Sequence, residues 1–200
     1  MCPLFYFYRM SMRITYTGGP SDQDVITLAD LKSHLRVEHN EDDTLITGIR
    51  ATAIQYVEDF CAIKLGNHFG TGYLESFEPA YFTISPIASI SAVEYKATGY
   101  TDTLSILESS KYFFDINTTP HRISFVNTPS LAEYQFNRVQ VTMNVGHSTD
   151  NIPAGIISAI KLITGHLYEH RTSEMMNLLP HSLRIGVEAL LNPHRTLFQP

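Results

Sequence analysis

The apolar positions of this chain change their spacing twice. Between Thr27 and Lys64 they recur every three or four residues, the period of a helix buried on one side. Thr27-Leu-Ala-Asp30 has the form of a capping box, with Leu28, Leu31 and Leu35 behind it, and predicts a helix of about nine residues. Asn40 is placed to cap a second helix, with Glu41, Asp42 and Asp43 in its first turn, where the dipole favours negative charge. Its apolar side is Leu45, Ile49, Ala53, Tyr56 and Phe60, and Gly66-Asn67 closes it after Lys64.

From Tyr73 the period falls to two. Tyr81–Ile84, Ile90–Tyr95, Leu104–Leu107, Tyr112–Ile116 and Arg122–Val126 are short, β-branched or aromatic, and separated by turn residues. Val139, Val141, Met143 and Val145 alternate with polar residues up to Gly146, which predicts a half-buried strand. Helical spacing then returns. Pro153 suits a first helical position, and Ile156, Ile160, Ile163 and Leu167 form a stripe reaching about Arg171. Gly165 inside that stripe implies a closely passing backbone. Beyond Pro180, Ile185–Leu191 is a short amphipathic piece stopped by Asn192-Pro193.

The expected class is α+β, a small helical bundle with an inserted antiparallel β module. Two N-terminal helices, one long C-terminal helix and one short terminal helix make the bundle. The boundaries are 1–24 for an N-terminal extension and linker, 25–66 for the N-terminal helices and 67–150 for the β module. The long C-terminal helix takes 151–179 and a terminal segment 180–200. The aromatic run at Leu4–Tyr8 lacks the charged start and small-residue cleavage site of a signal peptide, so Met10 and Met12 stand beside Met1 as alternative starts. Thr17-Gly-Gly-Pro-Ser21 reads as a linker.

Composition narrows the function. With 14 basic and 20 acidic residues the net charge is −6, which excludes the basic footprint of a chain that grips phosphates. It does not exclude a protein that DNA passes by. No apolar run approaches the roughly 18 residues of a membrane span, so no membrane partner is expected. Two cysteines, Cys2 and Cys61, are too few for a disulfide framework.

The nine histidines invite a metal reading. His166-Leu-Tyr-Glu-His170 fits the H-x-x-E-H pattern of inverted zinc peptidases, with both imidazoles on one helical face and Glu169 as general base. A third ligand is required, and only Glu174 and Glu188 follow. The bland alternative is a histidine pair complementing the helix dipole beside Arg171. No nucleophile elbow, P-loop or dinucleotide fingerprint occurs, and Gly66–Gly72 follows a helix instead of opening one. Cys61 reads as a packed thiol. The residues by themselves point to no enzyme and call for no cofactor.

Several strings in order carry a family resemblance. Ile26–Val37, the acidic turn, and Asp43-Thr-Leu-Ile46 resemble the opening of the head–tail connector (adaptor) proteins of tailed double-stranded DNA phages. Ile84–Tyr95, Tyr112–Ile116, Arg122-Ile123 and Val139–Gly146 with Ile152-Pro-Ala154 are similar to the β region and following helix of the larger branch. His166–Arg171 and Gly186–Leu191 match its closing segments. The resemblance covers about Ile26 to Arg195 and leaves the N-terminal aromatic extension outside.

It implies a structural virion protein made in the cytoplasm of a bacterial host and placed at the neck. There it forms a ring of its own copies, usually twelve, beneath the portal protein. Stopper or tail-completion proteins dock on the ring, and DNA passes through without sequence-specific binding. A neighbouring neck component, a stopper or tail-completion protein, is the alternative within this class. A zinc hydrolase using His166, Glu169 and His170 is the alternative from another class.

The expected contact residues follow from the same frame. A ring pairs one face of a subunit with a different face of the next. Ile46, Ile54 and Val57, off the main stripe of the second helix, are the candidate subunit interface, unless they only widen the core. Glu38, Glu41, Asp42 and Asp43 are candidates to face the channel or ring end, against a plain solvated capping turn. Leu183, Ile185, Val187, Leu190, Leu191, Leu197 and Phe198 are the candidate portal-docking residues.

Overall fold

A computed structural model describes residues 10–19, 22–98, 103–118, 120–133, 135–170 and 181–196. Strands β1 (Met10–Ser11) and β2 (Arg13–Thr17) precede helices α1 (Asp22–Val25), α2 (Leu28–Leu35) and α3 (Asp43–Cys61). Strands β3 (His68–Leu74), β4 (Ala80–Tyr81), β5 (Ile87–Lys96), β6 (Leu104–Ile106), β7 (Tyr112–Asp115), β8 (Arg122–Phe125) and β9 (Val139–Val145) follow. Helices α4 (Ala154–Glu169) and α5 (His181–Leu191) come last. The class is α+β. The chain forms a helical unit from residues 19–67 and 146–196, and a β unit that joins the N-terminal strands to residues 68–145.

In the helical unit Thr27 caps α2, and the Asp30 carboxylate reaches back to its hydroxyl. Thr27 Oγ1 donates to Asp30 Oδ2 at 2.6 Å and accepts from the Asp30 N–H at 3.1 Å. Helix α3 starts two residues later than the Asn40 cap implied and stops at Cys61, where Ala62 turns left-handed and ends it well before Gly66. Its inward face also differs. Ile46, Ala53, Val57 and Cys61 are fully enclosed and Ile54 nearly so, whereas Leu45 remains 37% exposed.

The candidate interface residues Ile46, Ile54 and Val57 are therefore core. They pack with Leu31, Ile156, Ile160, Ile163, Val187 and Leu191. Helix α3 touches α1, α2, α4 and α5, so a broad arc of it is covered and the centre of burial rotates away from Leu45. Gly165 in α4 faces side chains of α2, His34 Nε2 and Leu35 Cδ2 at 3.8 Å, and not a passing backbone.

The β unit holds a five-stranded sheet of order β2-β3-β9-β5-β6 and a four-stranded one of order β1-β4-β8-β7. Every pairing is antiparallel except β1 with β4. Strand β9 lies in the middle of the larger sheet, and Val139, Val141, Met143 and Val145 all face the core, as their alternation predicts. Leu74, Phe82, Ile87, Val93 and Ile123 complete that core.

Residues 10–17 are strands of this unit, which corrects the reading of residues 1–24 as an extension and linker. Strand β2 pairs with β3 from Arg13–Tyr73 to Thr17–Phe69. Strand β3 is itself unpredicted, because Gly70 and Gly72 dilute its pattern. Gly72 is needed: a Cβ there would overlap the thioether of Met12, which is buried, whereas a Cβ on Gly70 would meet Ile14 Cγ2 at 3.3 Å. Strand β4 is only Ala80–Tyr81, whereas β5 runs longer than expected, with register shifts near Ser89 and Ala92.

The two strand-flanking crossings of the chain lie side by side in the helical unit. Buried Glu58 accepts the Leu65 N–H at 2.8 Å and forms an ion pair with Lys64. The Lys64 carbonyl accepts the His147 N–H at 3.0 Å, and Leu65 bridges His147. Gly146 sits at φ +108°, and a Cβ there would overlap the Gly66 carbonyl oxygen. Gly146→Ala is expected to cost more than about 2 kcal/mol in denaturant unfolding. Gly48→Ala, with open space around an exposed helical site, is expected to gain about 0.5–1 kcal/mol. Equal effects of the two would contradict this packing.

Candidate docking surfaces and the paired histidines

The acidic turn is largely occupied with holding the bundle. Lys32 Nζ bonds both Asp43 Oδ1 and Asn40 Oδ1 at 2.7 Å, tying α2 to the start of α3. Tyr168 Oη donates to Asp42 Oδ2 at 2.6 Å, which ties α4 to the same turn. His39 Nδ1 lies 2.8 Å from the Glu41 carboxylate, an exposed pair of small energetic weight. Of the four acids, Glu38 and Glu41 are the two that stand exposed, and Asp42 and Asp43 are partly buried.

Helix α5 likewise turns most of its apolar residues inward. Val187 and Leu191 are fully enclosed, and Leu183 and Leu190 pack against the same core. Leu191 O accepts a weak bond from the Cys61 thiol at 3.7 Å. Burial pushes that thiol up to about 11, so it stays protonated, a packed thiol as its surroundings imply. Val187 and Leu191 thus correct the portal-docking expectation, since the bundle itself uses them, while Leu183 and Leu190 are partly buried against the same core. Ile185, 54% exposed, is the one that faces away, while Leu197 and Phe198 lie outside the described residues.

The segment after α5 is fixed to the bundle as well. The Thr196 N–H donates to Cys61 O at 2.8 Å, and the Arg195 guanidinium lies 5.1 Å from the centre of the Phe60 ring. Arg184 and Glu188 pair along α5 at 3.7 Å.

His166 and His170 do come together, with ring centroids 4.4 Å apart. Burial, and then the neighbouring His170, push the His166 imidazole below its ordinary value. Glu169 is exposed beside them, Glu188 is engaged with Arg184, and Glu174 lies outside the described residues. Among the described residues no group of three or more His, Cys, Asp or Glu side chains is placed to hold a metal ion. That arrangement lacks the ligand set a zinc peptidase needs.

The sequence reading missed the large apolar side chains left outside both cores. Phe136 is 83% and Ile106 74% exposed in the β unit, where Phe69, Phe113 and Ile116 are also exposed. Phe113 was legible in principle, since it sits between inward-leaning Tyr112 and Phe114 on β7, an edge strand. Phe136 lies in a loop and follows no periodicity. No helix of the described residues is long and apolar enough to cross a membrane.

Residues 25–103 match the family described as phage gp6-like head-tail connector protein. No curated protein matches the chain. Among solved structures, it is similar to a chain in the neck of the native gene transfer agent particle computed with C12 symmetry. The TM-score is 0.72 at 18% identity, over 94% of this chain and 98% of that one. The corresponding chain from the neck of the empty particle, computed with C6 symmetry, gives the same values. The chain in the virion of the native particle gives a TM-score of 0.74 at 17% identity, with the same coverage. The fold is thus that of these neck chains, and the family match falls where the sequence strings first suggested it.

Two substitutions on α5 separate core from surface. Leu191→Ala is expected to destabilise the protein by about 2–5 kcal/mol in chemical unfolding, as a buried leucine truncation does. Ile185→Ala is expected to stay within about 0.5 kcal/mol. A destabilising Ile185→Ala with a silent Leu191→Ala would reverse the assignment of faces.

Proposed function

We propose that this chain is a head–tail connector, a structural neck protein of a phage-like particle. Its copies assemble into a ring beneath the portal, twelve in number by analogy with the C12 neck, and the bore passes DNA. The observation that carries the reading is one fold shared across nearly the whole chain with neck chains, combined with a connector-family match over residues 25–103. No catalytic step and no cofactor belong to it.

The physical chemistry supports this role. A net acidic chain lets a polyanion slide past without releasing counterions, which suits a conduit better than a binding protein. Of the acidic turn, Glu38 and Glu41 are exposed enough to project into a channel or ring end, Glu41 beside His39. The core already holds Ile46, Ile54 and Val57, so contacts to other copies fall to side chains outside it. Ile185 and the residues following Thr196 remain the candidates for docking on the portal, and a stopper or tail-completion protein is the partner on the other side.

A nonsense mutation in the gene tests the role. The expected particles are DNA-filled heads that lack tails or leak their DNA, restored to infectivity when purified protein is added to the extract. Normal tailed particles would contradict the proposal.

A further inference from the structure

The paired histidines have a use that neither the bundle nor the neck role absorbs. His166 and His170 stand one helical turn apart at the end of α4, with ring planes 32° apart. His170 Nδ1 lies 3.1 Å from the His166 carbonyl oxygen. A carbonyl only accepts, so Nδ1 carries the proton and Nε2 presents its lone pair outward. An imidazole whose second nitrogen donates to a backbone carbonyl is the arrangement that orients and strengthens a metal-ligating histidine.

We propose that His166 and His170 form a two-imidazole site for a divalent transition-metal ion of the zinc and nickel class. Imidazole is the ligand these borderline ions favour. Bonds of about 2.0–2.1 Å require the two ligating nitrogens to stand roughly 3–3.4 Å apart. The ring centroids stand 4.4 Å apart in a tilted stack, so the rings must turn about their side-chain bonds for both in-plane lone pairs to converge on one ion. Water is left for the remaining coordination positions, because among the described residues no third His, Cys, Asp or Glu is placed to complete a metal-holding group with the pair. An open site of this kind binds reversibly and links the two ends of one turn, so the ion stabilises the last turn of α4. This inference is independent of the connector reading.

Zinc chloride titrated calorimetrically into the full-length protein tests it. One saturable site per chain is expected, together with a rise in melting temperature that a chelator reverses. His170→Ala removes an exposed side chain and leaves the fold intact; it is expected to weaken binding by more than about tenfold and abolish the thermal shift. His166→Ala is expected to do the same, and His39→Ala, an exposed histidine elsewhere, to leave both unchanged. Absence of saturable binding, or wild-type affinity in His170→Ala, would overturn the site.

Discussion

The structure depends on how the chain enters and leaves the β segment, and a buried carboxylate controls that passage. Glu58 is nearly enclosed, yet both its oxygens are used: one takes the Leu65 N–H, the other the Lys64 ammonium. A buried carboxylate is tolerated only when it is paired and hydrogen-bonded, and stripping one partner from such a pair costs several kcal/mol. Glu58 therefore fixes the path of residues 62–66 as they leave α3. The returning strand end, Gly146-His147, is laid against that same stretch, where only glycine fits beside the Gly66 carbonyl. A β module can be set into a helical bundle here because the two crossings are clamped together.

Once the crossings are fixed, each unit closes its own core, and the apolar residues are spent unevenly. The helical unit encloses most apolar side chains of α3, α4 and α5, including Val187 and Leu191 with the spacing of a docking stripe, and leaves Leu45, Leu162 and Ile185 exposed. The β unit leaves Phe136, Ile106 and Phe113 outside.

Parts of this were legible in the sequence because they are local. The Thr27–Asp30 cap, the alternation of Val139 to Val145 and the one-turn spacing of His166 and His170 depend on neighbours a few residues away. The existence of α3 was legible, but not which side of it is covered, since α1, α2, α4 and α5 together decide that. Strands β2 and β3 were not legible: their pairing rests on Met12 filling the space over Gly72, a contact between residues far apart in the chain. For the same reason Val187 and Leu191 looked available for a partner. Amphipathic spacing says that a face will be buried and is silent on whether its own chain or another covers it.

The strings from Ile26 to Leu191 carried more about function than any single residue did, because the proposed neck role calls for no reacting atoms. Its work is geometric, and only the assembled neck displays it. Cryo-electron microscopy of the particle's neck, refined without imposed symmetry, tests the account most directly. It predicts this chain as a closed ring directly under the portal, its helical and β units recognisable and its bore open to DNA. Density for the chain away from the portal–tail junction, or as isolated copies outside any ring, would contradict it.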